Sequence, residues 1–164
     1  MGKQLDGGRV DCPSRKGRTM KRVFSNYAEV CHAWAQQAQA EGRAGRIFFE
    51  GKSIYSYGRH FEMARFIDDE TVFITTRRYS VSTAHHLSLV HRAVNHKQVF
   101  TVPEFGSHLD NVRYFIEKAR AHYGAAKQAR KHGDREILAA QRTIQIARAY
   151  ITKFRVQVPA SLVL

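Results

Sequence analysis

The side chains best suited to chemistry in this 164-residue chain are nine histidines and one cluster, Tyr57, Arg59, His60, Arg77, Arg78, His85 and His86. If two of those histidines converge at one end of a sheet, one imidazole acts as general base and the other as general acid. The arginines would then hold the charge of a phosphorane, which is the chemistry of a metal-independent ribonuclease. A plainer reading of the same residues makes Gly58-Arg59-His60 a bulge or tight turn, Tyr55 and Tyr57 core or edge aromatics, and the arginines solvated. A zinc site needs ligands converging at short spacings. His85 and His86 diverge on a helix, His91 lies five or six residues on, and HExxH, CxxC and DxD are all missing, so neither a metal nor a cofactor is expected. Glycine-rich phosphate loops, Ser-His pairs and cysteine nucleophiles lack their flanking signatures here.

Charge is the stronger signal. The net charge is +13, and its distribution is uneven. Residues 1 to 22 carry seven Lys or Arg against two acids, residues 23 to 106 nine against eight, and residues 107 to 164 eleven against four. Two basic ends flanking a balanced centre are what phosphate neutralisation asks for. The candidate contacts are Lys127, Arg130, Lys131, Arg135, Arg142 and Arg148 on a helical rod, with few acids four residues away to pair them. Tyr57, Tyr79, Arg59, Arg77 and Arg78 make a second surface, able to stack on exposed bases. A solvated helix face would carry similar charges singly, and an acidic protein surface is the alternative partner.

The elements that must position these groups follow from patterning. Between Arg46 and Tyr79, short apolar runs (Ile47–Phe49, Ile54–Tyr57, Phe61–Ile67, Val72–Thr75) alternate with turns at 50–52, 58–60 and 68–70, which predicts a three- or four-stranded antiparallel meander. Ahead of it, Asn26 and Glu29 cap a helix running from Tyr27 to about Glu41, stopped by Gly42 and Gly45, with Trp34 covering the sheet. Behind it, Ser80 or Thr83 caps a helix to about Asn95, and Val99–Val102 is a short alternative strand, ended by Pro103. Ser107 and Asp110 open a long helix to about Lys131, and Asp134 caps another to about Val156. Leu109, Val112, Ile116, Ala119, Tyr123 and Ala126 on the first match Ile137, Ala140, Ile144, Ala147, Ile151 and Phe154 on the second, the seam of an antiparallel hairpin.

The segment IFFEGKSIYSYGRHFEMARFI, continuing through TTRRYSVSTAHH, resembles a motif of small bacteriophage and mobile-element proteins grouped as a domain of unknown function. The resemblance covers roughly residues 25 to 95, is carried by Tyr55, Tyr57, Gly58, Arg59, His60, Phe61, Arg77, Tyr79 and Ser80, and implies a phage accessory protein with no assigned activity.

The expected fold is therefore α+β: a small antiparallel β-meander covered by helices (23–106), followed by a C-terminal antiparallel helical hairpin (107–158), with a basic flexible arm (1–22) and a short tail (159–164). No apolar run reaches the roughly 18 residues of a membrane span, and Cys12 and Cys31 make no disulfide framework, which suits a reducing cytoplasm, a bacterial one if the chain is phage-encoded. The expected function is non-enzymatic binding of nucleic acid, DNA or RNA. An inhibitor or modulator capturing an acidic host protein, and the ribonuclease, stand as alternatives. Exposed seam positions also allow a homodimer.

Overall fold

The computed structural model describes residues 21–129 and 131–162. Arg130, Cys12 and all but the last two residues of the expected basic arm lie outside them. The architecture is α+β, with a six-stranded sheet whose spatial order follows the chain: β1 (Glu41–Ala44), β2 (Ile47–Glu50), β3 (Ser53–Ser56), β4 (Gly58–Phe66), β5 (Thr71–Thr75) and β6 (Gln98–Val102).

The first five strands are antiparallel neighbours, but β6 pairs parallel with β5, placing Phe73 opposite Phe100. Short turns force the antiparallel pairs. The connection between β5 and β6 is long because it contains the helix α2 (Val81–Ala93), and a helix is what returns a chain to the same end of a sheet for parallel pairing. The expected three- or four-stranded meander corresponds to β2 to β5, while β1 adds an antiparallel strand at one edge and β6 a parallel strand at the other. Ser80 caps α2, its Oγ accepting from the Thr83 N–H while the Thr83 Oγ1 accepts from the Ser80 N–H.

The first helix, α1 (Tyr27–Ala35), is capped as expected, with Asn26 Oδ1 accepting from the Glu29 N–H at 2.9 Å. It ends at Ala35, well before Glu41, and Gln37 just past its C-cap takes a φ of 49° that no helix continues through. Residues 41–44 form the edge strand β1 instead, because that edge offers backbone partners on both sides. Gly42 lies opposite Phe49, and residues 22 and 24 exchange hydrogen bonds with Arg43. Gly42 is required there by close approach. A Cβ on it would stand 2.6 Å from both the Phe24 and Phe49 rings, so Gly42→Ala is expected to cost about 1–3 kcal/mol in chemical denaturation.

The long helices α3 (His108–Gln128) and α4 (Gly133–Phe154) pack against each other. Asn111 meets Tyr150 while His122 meets Glu136, so the two run antiparallel. Helices α1 and α2 cover one sheet face, with Val30, Trp34, Leu87 and Val90 against Ile47, Phe49, Ile54, Met63, Phe66 and Ile74. The hairpin covers the opposite face of β5 and β6, with Val112, Phe115, Ala147 and Tyr150 against Phe73, Phe100 and Val102. All five residues of β5 are buried because both its faces are covered.

The seam between the helices is rotated from the expected one. On α4 the buried positions are Ala140, Thr143, Ala147 and Tyr150, whereas Ile137 is 39% exposed and Ile144 and Ile151 are only half-buried. Tyr150 causes the rotation. Its ring must turn toward Phe73 and Phe100 under the helix, which swings the isoleucines to the flank.

Candidate nucleic-acid interface

No single cleft holds all of the sheet-borne residues expected to act together. Arg59, His60, Arg65 and Arg77 line one of about 360 Å³, with Glu62, Glu104 and Phe105. Tyr57 and Tyr79 line a neighbouring depression with His60 and Phe61. Arg78 lies in a third, beside His91 and Lys118.

Within the first cleft the cations are already partnered. Arg59 is bound to Glu50, Arg77 to Glu104, and Arg65 to Glu62 at 2.6 Å, and each guanidinium is held above its usual pKa by that hydrogen-bonded carboxylate. Arg65 and its stack on Phe105 leave no signal in the sequence, since nothing in a strand pattern says which polar residue faces a loop 40 positions away.

The ribonuclease arrangement is not assembled. Neither His85 nor His86 lines the cleft that holds Arg59, His60 and Arg77. His86 is buried on α2, its Nδ1 lying 2.7 Å from Ser56 Oγ, its ring edge-on to Tyr27. Burial, and then the nearby His85 and Arg46, lower its pKa below the usual 6.5. The Ser56–His86 pair has no carboxylate on the other imidazole nitrogen among the described residues, and both side chains are buried, so it braces α2 against β3 and offers no nucleophile. Between β3 and β4, Tyr57 makes the turn alone, at φ 64°, a conformation disfavoured for a residue with a side chain. Its N–H donates to the Arg46 carbonyl at 2.8 Å and the Arg46 guanidinium lies over its ring at 4.8 Å, which hold it there.

His86 gives a pH dependence. His91 is lowered in the same sense, by burial and then by Arg78. A histidine whose folded pKa lies below its unfolded one contributes stability fully above pH 6.5 and loses it as the pH falls from there toward the folded value. Urea midpoints are therefore expected to be flat above pH 6.5 and to drop below it. The His86→Phe protein should show a shallower drop, by up to about 1.4 kcal/mol per pH unit.

The hairpin cations are different. Lys127, Lys131, Arg135, Arg142 and Arg148 are all exposed, and among the described residues none has a carboxylate partner within ion-pair distance. By contrast Lys153 near the base of α4 is tied to Asp68 at 3.0 Å. Burial alone would push that carboxyl up, but the Glu70 N–H and the Lys153 ammonium hold it at about 2. The unpaired cations occupy two sides of the hairpin. Arg135 and Arg142 are seven residues apart and share a side of α4 with the exposed Leu138 and Ile146. Arg148 faces the other way, into an apolar groove between the helices. Lys131 stands in the connection at the tip. His132 precedes α4 at φ 67° with no side-chain cap, so Asp134 sits in the first turn and does not cap the helix as expected.

No protein-family model, curated protein or solved structure matches this chain. Among the described residues no helix is long and apolar enough to cross a membrane, and no group of three His, Cys, Asp or Glu is placed to hold a metal ion.

Proposed function

We propose that this chain binds nucleic acid without catalysis, through cations near the tip and along one side of the hairpin, as an accessory protein of the phage type that its sequence resembles. Lys131, Arg135 and Arg142 supply phosphate contacts. Exposed arginines free of carboxylate partners are the observation that carries this reading, because a paired arginine must give up its partner before it meets a phosphate. Such contacts position the protein on the backbone without reading bases. Tyr79, 65% exposed and edge-on to Phe61, offers a ring for an unstacked base. The partnered Arg59 and Arg77 contribute less.

A gel shift on duplex and single-stranded DNA across a salt series tests the proposal. The apparent affinity should fall steeply with salt, with a log–log slope of about −3 for three phosphates. A slope near zero, or no shift in dilute salt, would sink it.

A second reading, capture of an acidic host protein, is favoured by the apolar residues interleaved with the cations, since Leu138 and Ile146 are 46% and 45% exposed beside Arg142. Phosphates gain nothing from an exposed leucine, whereas protein interfaces are built on such residues.

A further inference from the structure

The groove on the opposite side of the hairpin has a chemistry of its own. About 280 Å³ in volume, it is lined by Ile116, Ala119, Ile144, Ala147 and Ile151 and by Val158 and Leu162 from the tail. Ile144 and Ile151 in the groove and Ile137 beyond it are seven apart, so they form a line along α4 about 21 Å long, the length of roughly 14 helical residues. Cations run beside that line on both helices. Arg120 and Lys127 are seven apart on α3, Arg148 and Arg155 seven apart on α4 and just past its end, and none of the four has a carboxylate partner among the described residues.

We propose that this groove receives an amphipathic, acidic helix of a partner protein, with its apolar stripe on the isoleucines and its carboxylates between the two rows of cations. Charge decides against a second copy of this chain, which would set the same unpaired cations face to face. Shape decides against an anionic membrane, because a flat bilayer surface does not enter a groove between two helices. The inference goes beyond the acidic-surface reading by naming the groove and the form of the partner. It stands apart from phosphate binding, since Arg142 is two residues from Ile144 and so about 200° around the helix from it.

The test uses the full chain and a fluorescent synthetic helix of about 18 residues with leucines at heptad a and d positions and glutamates at the flanking ones, measured by anisotropy near 0.15 M salt. Binding is expected, weakened about tenfold in the Ile137→Ser and Arg120→Glu proteins, both changed at exposed positions, with melting curves confirming that each is folded. The same peptide with lysine flanks is expected not to bind. No binding of the glutamate peptide, or equal binding of the lysine peptide, overturns the proposal. So does equilibrium sedimentation showing a dimer that Ile137→Ser dissolves, or flotation of the protein with phosphatidylserine vesicles that Ile137→Ser abolishes. Because the probe carries no phosphate, its failure leaves the gel-shift result untouched, and the reverse holds too.

Discussion

Tyr150→Ala is expected to destabilise the protein by about 4 kcal/mol, as much as any single side-chain truncation in the chain. The Tyr150 ring is fully buried at the point where α3, α4 and the sheet meet, stacked on Phe73 at 5.7 Å and edge-on to Phe100 and Phe115. Its hydroxyl accepts from Asn111 Nδ2 at 2.9 Å and lies 2.7 Å from His108 Nδ1. Asn111 in turn holds the Glu104 backbone through both its N–H and its carbonyl, so the phenol fixes the loop between β6 and α3 as well as the helices. Removing the ring opens a cavity under α4 and leaves a buried amide short of a partner. Tyr150→Phe keeps the ring and should cost only about 1–2 kcal/mol, the unmet hydrogen bonds alone. Urea unfolding followed by tryptophan fluorescence measures both. A loss below about 1 kcal/mol for the alanine protein would mean that the hairpin is not seated on β5 and β6 as described.

Neutralising Arg135 and Arg142 together should weaken DNA binding about 100-fold in dilute salt and make the salt slope shallower by about 1.8. Both arginines project from the solvent side of α4 without carboxylate partners, so each contact with a phosphate releases a counterion in full. Arg59→Ala is the informative comparison. Its guanidinium is held by Glu50, and its loss should change affinity by less than about twofold. Equal effects from Arg59 and from the α4 arginines would show that the sheet end, and not the hairpin, carries the binding surface. Both variants replace exposed side chains and should fold normally.

Much of the fold was legible in the sequence because local rules govern it. The caps at Asn26, Ser80 and Ser107 stand where hydroxyl or amide side chains precede helical periodicity, and each accepts from the N–H three residues on. The hairpin turn at Gly51, which has a φ of 52°, is equally local. The end of α1 is not legible in the sequence because residues 36–40 have helical composition, and only the open edge of β2 makes strand the better use of 41–44. The parallel strand β6 depended on α2 lying over the sheet, a consequence of packing that no turn signal records.

The candidate surfaces divide the same way. Composition and spacing alone determined that cations gather in the C-terminal region, since charge is a property of the chain wherever it folds. Which cations stay unpaired was decided by tertiary structure, because Asp68 reaches Lys153 at the base of α4, and Glu104 reaches Arg77, across strands and loops far apart in the chain. The heptads of α3 and α4 were equally visible as two helices with matching apolar spacing. Which apolar row became the buried seam and which became an open groove was set by one aromatic ring turning under α4, since a helix has only one side to offer a sheet.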